Sequence, residues 1–346
     1  MPETAPRNYL DNEPLNIGVV GATGEVDRIM LGILDERGLP IDNLRLFASE
    51  RSAGMPLDWQ GSEVVVEDAN VADYSGLDVV LFSAGAEVSR RLAPQVVESG
   101  AIVIDNSSAW RQNTAVPLVV SEVNPKELDH MPLGIVANPN CSTMLAMPVL
   151  KPLHDMAGLE AIIVSTYQAV SGAGRGGNTE LVEQIKKEGT PPQVFPEPIA
   201  YNVIPLRGNL VGRNTDEELK LKHESRRILR ISQLMVSATC VSAPVFTGHS
   251  LSIDARFTNK ISPEEAEHIL EQSAGVELSA IPTPRRAAGG DTILVGRIRQ
   301  SGVFGENGLS IFMAGDNLRK GAALNAVQIL ELLIRRDGPN PRAVTA

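Results

Sequence analysis

The sequence predicts an α/β protein with two domains, on three observations. The chain has 346 residues, whereas one domain usually holds about 100–200. The β-branched run Leu15–Val20 meets a glycine-rich turn and then helically spaced apolar residues over Val26–Leu34. Further strand and helix patterns alternate after it. We therefore expect a parallel sheet with helices on both faces in the N-terminal part of the chain.

The composition excludes several classes of protein. Apolar residues make up 43% and charged residues 21%, which is typical of a globular chain and excludes disorder as its default state. The net charge of −11 disfavours general polyanion binding, so no nucleic-acid partner is expected. No apolar run reaches the roughly 18–20 residues of a membrane span, so no membrane partner is expected. Residues 1–14 lack the apolar core of a signal peptide and are predicted to be a loose leader.

The glycine turn after the first predicted strand is typical of a phosphate-binding loop. Gly18, Gly21 and Gly24 let backbone N–H groups approach a pyrophosphate at a helix N-terminus, where the helix dipole favours anions. A plain turn between strand and helix is the alternative, but the flanking strand and helix favour dinucleotide binding. The predicted cofactor contacts are Gly21, Ala22, Thr23, Gly24, Glu25 and Val26.

The next predicted strand, Leu44–Phe47, indicates which dinucleotide binds. A carboxylate at its tip usually holds the ribose of NAD, whereas an arginine accommodates the 2′-phosphate of NADP. The tip carries Ser49, Arg51 and Ser52, which favour NADP, although Glu50 points mildly toward NAD. The alternation continues with strand Val79–Ser83, helix Val88–Val97 and strand Ile102–Asp105.

Cys141 is the candidate nucleophile. It directly precedes the apolar helical stretch Met144–Leu153, and a helix N-terminus lowers the pKa of a thiol from about 8.5 and creates a reactive thiolate. Cys240 is instead expected to be buried and inert. Two cysteines cannot build a disulfide framework, so we expect a reducing compartment and a cytoplasmic location. We predict no metal site.

A cysteine nucleophile usually works with a histidine. His249 follows an apolar run and Gly248, a position typical of a side chain presented into a cleft. The other histidines lie in polar or amphipathic segments and are expected to be solvated; they are His130, His154, His223 and His268. His249 is therefore the predicted partner of Cys141.

Seven motifs stand in order along the chain: Gly18–Gly24, Asp105–Arg111, Asn138–Thr143, Tyr167–Gly172, Glu224–Arg227, Gly248–Ser250 and Gly315–Asn325. Through these motifs the chain resembles the aspartate-semialdehyde dehydrogenase family, from Leu15 to the C-terminal helix. The resemblance implies a Rossmann-type dinucleotide-binding domain plus an α+β catalytic and dimerisation domain, with a homodimer as the assembly. It also implies NADPH-dependent reduction of β-aspartyl phosphate to the semialdehyde with release of phosphate.

The resemblance assigns catalytic roles to three residues. Cys141 would attack the acyl phosphate, phosphate would leave, and hydride from the nicotinamide would reduce the resulting thioacyl group. His249 would act as acid or base. Gln168 would position the thioacyl group or its partners.

The resemblance also implies binding residues. Arg111 would hold phosphate, since an arginine fork matches its oxygens, and Glu224 would bind the substrate amino group. A surface ion pair is the alternative for both side chains. The full substrate set is Arg111, Glu224, Arg227, Asn140 and Ser242. The remaining cofactor contacts would be Ser171, Gly172 and Asn317, with Asn317 at the nicotinamide end.

Three positions depart from the family's motifs. Asp27 stands where the family has a fourth glycine of the loop, and a carboxylate facing the cofactor would repel phosphate. Ser242 stands where the family has an arginine for the substrate α-carboxylate, a contact whose loss would cost about ten- to a hundredfold in affinity. Arg227 replaces a lysine, which keeps the charge and changes the geometry.

These departures keep other functions open. The chain could be a diverged paralog that acts on another acyl phosphate or thioester. Within the same chemistry, an N-acetylglutamyl-phosphate reductase or a malonyl-CoA-reductase-like enzyme is an alternative. A catalytically silent homologue that serves as a binding or oligomer partner is the alternative from another class.

The predicted cofactor domain covers residues 1–139 and is completed by 321–346, whose last helix lies near Ala322–Arg335. Residues 140–320 form the predicted catalytic and dimerisation domain. Its sheet is expected to contain Ile162–Ser165, Ser250–Phe257 and Thr292–Arg299. The glycine-rich start and proline-rich end of Gly172–Pro198 predict a mobile excursion.

Overall fold

The structure, a computed structural model, describes residues 14–334. The predicted leader therefore lies outside the described residues except for Pro14, as does Arg335 of the predicted last helix. Two compact units make up the chain: residues up to Pro139 together with those from Ala322 onward, and Asn140–Gly321. No described helix is both long enough and apolar enough to cross a bilayer.

The described part of the first unit alternates strands and helices. Its elements before Pro139 are β1 (Leu15–Val20), α1 (Glu25–Glu36), β2 (Ile41–Ala48), β3 (Pro56–Trp59), β4 (Ser62–Asp68), β5 (Val79–Phe82), α2 (Ala86–Glu98), β6 (Ile102–Asp105) and β7 (Ile135–Ala137). The strands form one sheet in the order β3-β4-β2-β1-β5-β6-β7. Short 3-10 turns at Glu50–Ser52 and Pro125–Asp129 connect parts of it.

Strand β1 occupies the middle of this sheet because its side chains suit burial on both faces. It pairs in parallel with β2 on one side and β5 on the other. All of its residues except Asn16 are buried, so its apolar run need not alternate with polar residues. Helix α1 adds Met30, Ile33 and Leu34 to the same core. The parallel sheet predicted from the sequence is confirmed.

The edge of the sheet differs from the prediction. β3 and β4 form an antiparallel hairpin, and β4 then pairs in parallel with β2. Gln60 and Gly61 connect the two strands with φ values of 51° and 75°, as a tight two-residue hairpin turn requires. No strand is predicted between Phe47 and Val79, so this hairpin is an addition to the predicted architecture.

The second unit is an α+β assembly around a mixed sheet. Its elements are α3 (Cys141–Ala157), β8 (Leu159–Gln168), α4 (Arg175–Lys186), β9 (Leu210–Val211), β10 (Asn214–Thr215), α5 (Asp216–Ile228), β11 (Met235–Ser242), β12 (His249–Phe257), α6 (Pro263–Glu271), β13 (Val276–Leu278), α7 (Pro284–Ala287), β14 (Ile293–Ser301) and β15 (Gly305–Gly315). The large sheet runs β11-β8-β12-β15-β14-β13. After a short π-helical turn at Arg319–Ala323, the chain continues as α8 (Leu324–Ile334), which packs into the core of the first unit.

The segment Gly172–Pro198, predicted to be a mobile excursion, contains a helix that packs in a small core. A 3-10 turn at Val170–Ala173 leads into α4. Leu181 of α4 is buried together with Phe195, Ile199 and Ile204. Apolar residues at the proline-rich end thus cover one face of α4, and the mobility of Gly172–Pro198 stays a prediction.

Candidate active site

Cys141 is the first residue of α3, and the preceding Asn140 caps that helix. Asn140 has extended backbone angles, and its side chain accepts a hydrogen bond from the N–H of Ser142 over 3.0 Å. Cys141 is partly exposed, whereas Ser142 and Thr143 are fully buried. The thiol therefore lies at the positive end of a helix dipole and within reach of solvent, which favours the thiolate.

Two glutamates of α5 hold Asn140 in place. The backbone N–H of Asn140 donates to Oε2 of Glu224 over 2.7 Å, and its side-chain amide donates to Oε1 of Glu217 over 2.8 Å. Burial alone would raise the pKa of Glu217, but the charge of Lys220, the Asn140 amide and the charge of Arg207 outweigh it and hold the pKa at about 2. Glu217 is therefore an anion beneath the start of α3.

Gln168 ends β8 beside the same helix. Its amide nitrogen donates to Oγ of Ser142 and to Oε1 of Glu217. Its Oε1 is buried and has no hydrogen-bond partner among the described residues. An unpaired buried carbonyl oxygen is costly unless a ligand or water satisfies it. Gln168 thus offers one free polar atom beside the Cys141 helix.

His249 begins β12 and is completely buried. Its Nδ1 accepts a hydrogen bond from the backbone N–H of Ala169 over 3.0 Å. Burial, reinforced by the charge of Arg207, lowers the pKa of His249 to about 3. The ring is therefore neutral at pH 7 and carries its proton on Nε2. Nε2 has no hydrogen-bond partner among the residues described, so it is available to a ligand.

Glycines let α3 approach the strand beside His249. Gly315 of β15 is the register partner of His249, and a Cβ there would collide with Leu145, one turn after Cys141. Gly321 lies against Cys141 itself, with 3.1 Å between the Cβ of Cys141 and the position of an added Cβ. Gln168, His249 and the start of α3 thus lie together at the end of the sheet where β8 ends and β12 begins.

Asn317 connects the loops at this end of the sheet. Its Oδ1 accepts from the backbone N–H of Gly248 over 2.8 Å, and its Nδ2 donates to Oγ of Ser171 over 3.0 Å. Gly172 lies against the His249 ring, since a Cβ added to it would be 3.3 Å from Cε1. The predicted cofactor residues of the second unit therefore form a single cluster with His249.

The remaining cysteine and histidines have the expected surroundings in most cases. Cys240 is fully buried, as predicted, and burial raises the pKa of its thiol to about 12. His130, His223 and His268 are exposed. His154 is half-buried, and its Nδ1 accepts from the N–H of Leu159 over 2.9 Å, so it is not simply solvated.

The substrate-binding candidates are mostly buried. Arg111 is 8% exposed and donates from Nε and Nη2 to the carbonyl oxygens of Asn138 and Asn106 over 2.8 and 2.7 Å. Glu224 is 1% exposed. The surface-ion-pair alternative therefore fails for both side chains. Arg227 is half-buried on α5.

Ser242 pairs with Gln168 in the register of β11 and β8. It is completely buried, and its Oγ has no hydrogen-bond partner among the described residues. A neutral hydroxyl therefore stands where the family resemblance implies an arginine.

The glycine loop of the first unit fits the phosphates of a dinucleotide. Gly21 has a φ of +104°, and a Cβ there would lie 3.1 Å from the backbone carbon of Ser83, so only glycine is accommodated. Helix α1 begins at Glu25 after Gly24, and no side chain caps it. The dipole of α1 would therefore favour an anion bound at this loop.

Asp27 lies under that loop. It is 1% exposed, and its Oδ2 would be 2.5 Å from a Cβ added to Gly24. Burial raises the pKa of its carboxyl to about 8, against the opposing effect of hydrogen bonds from Ser83 and from its own N–H. At neutral pH the carboxyl is mostly protonated, so the expected repulsion of phosphate is largely absent.

Ser49, Arg51 and Ser52 follow β2 on a short 3-10 turn. Ser49 and Arg51 are exposed and Ser52 is half-buried. Arg51 has no ion pair with any described residue, so its guanidinium is open to an external phosphate. These residues suit the 2′-phosphate of NADP.

Sequence reasoning missed Glu217 and Arg207. Glu217 supports Asn140 and Gln168, and the charge of Arg207 acts on both Glu217 and His249. Neither residue belongs to a motif, and both come close to the site only through the tertiary fold. A local signal was available for the start of α5, where Thr215 and Glu218 form a capping box around Glu217.

Comparison with known proteins gives a consistent result. Residues 16–131 match the family model "Semialdehyde dehydrogenase, NAD binding domain", and residues 150–320 match "Semialdehyde dehydrogenase, dimerisation domain". The aspartate-semialdehyde dehydrogenase of Streptomyces akiyoshiensis is 56% identical over 92% of this chain and 98% of its own length. The chain belongs to the aspartate-semialdehyde dehydrogenase family.

Other aspartate-semialdehyde dehydrogenases agree with this assignment. The enzyme of Mycolicibacterium smegmatis is 53% identical over 92% of this chain and 99% of its own length. The crystal structure of aspartate semialdehyde dehydrogenase II from Vibrio cholerae, complexed with ASA, superposes with a TM-score of 0.91. That pair is 41% identical and covers 94% of this chain and 100% of the other.

Proposed function

We propose that the protein is an NADPH-dependent aspartate-semialdehyde dehydrogenase, which reduces β-aspartyl phosphate to aspartate semialdehyde and releases phosphate. The observation that carries the proposal is the convergence of three groups at the end of the second sheet where β8 ends and β12 begins. These are the partly exposed Cys141 at the start of α3, the unpaired Oε1 of Gln168 and the unpaired Nε2 of His249. The names of the related enzymes supply the substrate.

Cys141 performs the bond-making step in this proposal. Its thiolate attacks the acyl carbon, the oxygen–carbon bond to phosphate breaks, and the acyl group becomes a thioester on Sγ. The dipole of α3 stabilises the thiolate before attack. Glu217 and Glu224 hold Asn140, and through it the start of α3, in a fixed orientation.

His249 acts first as an acid in this proposal. Its proton is on Nε2, because Nδ1 accepts a hydrogen bond from Ala169. Nε2 therefore donates to the acyl oxygen as negative charge develops there. Gln168, held by Ser142 and Glu217, positions the acyl group.

NADP(H) is the proposed cofactor, and its reduced form, NADPH, would supply the hydride that reduces the thioester. The phosphates would lie on the loop Gly21–Val26, with Arg51 and its neighbouring serines on the 2′-phosphate. Ser171, Gly172 and Asn317 would contact the nicotinamide end. A crystal structure of the Candida albicans enzyme, 26% identical over 93% of this chain with a TM-score of 0.75, is described as holding NADP.

We also propose that the two units are the cofactor domain and the catalytic and dimerisation domain, and that the protein is a homodimer. The dimerisation-domain match supports this assembly. So do three exposed apolar side chains on β8 and β11, namely Ile163, Tyr167 and Met235, which are 46%, 41% and 54% exposed. A catalytic thiol further suits the reducing cytoplasm.

A steady-state assay tests the proposal. The protein is given aspartate semialdehyde, phosphate and NADP, and NADPH formation is followed by absorbance. We expect turnover by the native chain, loss of at least about a thousandfold in C141A, and unchanged turnover in C240A as the matched control. Turnover that survives C141A would contradict the proposal.

Ser242 favours a second candidate, a related acyl phosphate or thioester reductase whose substrate lacks the α-carboxylate. The buried serine provides no charge for that group. A comparison of aspartate semialdehyde with 3-aminopropanal, which keeps the aldehyde and the amino group but has no carboxylate, separates the candidates by kcat/KM. Titration with NADP(H) separates both from a catalytically silent homologue, which would not bind it.

A further inference from the structure

Arg207 lies on the segment 204–207, which is hydrogen-bonded to the end of β11. Ile204 and Ser242 exchange two backbone hydrogen bonds, each of 2.9 Å, and the N–H of Arg207 donates to the carbonyl of Cys240 over 3.2 Å. Ile204 is also buried in a small core with Leu181. The backbone of this segment is therefore fixed at both of its ends, and so is the direction in which the Arg207 side chain leaves it.

The guanidinium of Arg207 reaches the same space as the imidazole of His249. A Cβ added to Gly172 would lie 2.7 Å from Nη2 of Arg207 and 3.4 Å from Nε2 of His249. The absence of a side chain at Gly172 thus leaves both nitrogens facing one small volume. The charge of Arg207 also contributes to the lowered pKa of His249.

This cation has no partner in the part of the chain that the structure describes. No described residue forms a hydrogen bond or an ion pair with the guanidinium, although the side chain is half-buried. Glu217 feels its charge but pairs instead with Lys220 over 3.1 Å and with the Asn140 amide. A half-buried guanidinium without a partner beside unpaired polar atoms indicates an anionic ligand group.

We propose that Arg207 binds the α-carboxylate of the substrate and is the specificity-determining cation of this site. The proposal rests on the proposed function, whose substrate has one carboxylate. Ser242, next to Gln168 in the sheet, is neutral, and the nearby Glu217 and Glu224 are acidic side chains suited to an amino group. Arg207 supplies the positive charge that a carboxylate needs, and its planar guanidinium matches the two carboxylate oxygens.

Kinetics of R207Q test the proposal, with R213Q as the matched control. Arg213 is an exposed arginine on the turn between β9 and β10. In R207Q, KM for aspartate semialdehyde is expected to rise about ten- to a hundredfold, while kcat and the KM values for NADP and phosphate change little. R207K should fall between R207Q and the native chain, and R213Q should match the native chain.

A substrate without the carboxylate makes the test specific. 3-Aminopropanal keeps the aldehyde and the amino group, so its kcat/KM should be unchanged in R207Q. Equal losses for both aldehydes would indicate a structural role for Arg207 and overturn the proposal. A rise confined to KM for phosphate would overturn it as well.

Alkylation of Cys141 separates this proposal from the proposed function. Iodoacetate carries a carboxylate and iodoacetamide does not, and neither needs turnover. R207Q should slow alkylation by iodoacetate severalfold more than alkylation by iodoacetamide, even in a chain that turned over no aspartate semialdehyde. An equal effect on the two reagents would overturn the assignment of Arg207 as the carboxylate-binding cation.

Discussion

The backbone N–H of Ala169 donates a hydrogen bond to Nδ1 of His249 over 3.0 Å. Because an N–H group can only donate, this contact fixes the proton of the neutral ring on Nε2. The same ring is completely buried. The native site therefore presents an uncharged hydrogen-bond donor, in contrast to the base that is often drawn beside a cysteine nucleophile.

The first prediction concerns the acid stability of the protein. Because the pKa of His249 is about 3 in the folded chain and 6.5 in a free histidine, the folded state binds fewer protons between these values. The contribution of the neutral ring is complete above pH 6.5 and is lost as the pH falls toward 3, with a slope of up to about 1.4 kcal/mol per pH unit. Urea unfolding of H249Q should lack this part of the slope. The same pH dependence in both chains would contradict the neutral, buried ring.

H249Q should also lose about a hundred- to ten-thousandfold in kcat.

The second prediction concerns Asp27 and alkaline pH. The pKa of its carboxyl is about 8 in the folded chain and 3.8 in a free aspartate, so the folded state binds more protons between these values. Stability from the protonated form is complete below pH 3.8 and is lost as the pH rises through 8. The free energy of unfolding of D27N should therefore exceed that of the native chain by an amount that grows up to about pH 8 and then levels off.

Asp27 should also make cofactor binding depend on pH. Above pH 8 its carboxylate faces the start of α1, where it competes with phosphate. Calorimetric titration should show a Kd for NADP that rises between pH 7 and 9 in the native chain and much less in D27N. D35N, at the exposed far end of the same helix, is the control and should behave like the native chain. An equal rise in all three would show that Asp27 is not responsible.

The third prediction concerns Asn140 as the cap of α3. N140A removes the bond to Ser142 and the amide that pairs with Glu217, so it should cost about 0.5–2 kcal/mol of stability and slow the alkylation of Cys141 by iodoacetamide. S262A removes the analogous cap of α6 and should cost a similar amount of stability without changing the alkylation rate. Unchanged alkylation in N140A would mean that the cap does not set the reactivity of the thiol.

Local patterns accounted for much of the first unit. β1 matches the predicted run Leu15–Val20, because a strand that is buried on both faces has a nearly continuous apolar sequence. The start of α3 at Cys141 agrees with the prediction that Cys141 lies at a helix N-terminus, which was based on the apolar stretch that follows it. The hairpin of β3 and β4 was missed because β3 has only four residues and charged residues flank the three valines of β4, although the turn at Gln60 and Gly61 was a usable signal.

The charge environment of the site was not readable from local sequence. Glu217 bonds to Asn140 across 77 positions of the chain, and Arg207 reaches Gly172 only because Ile204 pairs with Ser242. Such contacts depend on how strands and loops meet in three dimensions. The protonation states of His249 and Asp27 are likewise set by burial, which their neighbours in sequence do not reveal.

Trapping the covalent intermediate tests the central claim most directly. The protein is mixed with β-aspartyl phosphate in the absence of NADPH, quenched in acid and examined by peptide mass spectrometry. The account predicts an aspartyl adduct on the peptide that contains Cys141, removable by hydroxylamine and absent from C141A. An unmodified Cys141 together with continued reduction of the substrate once NADPH is supplied would contradict it.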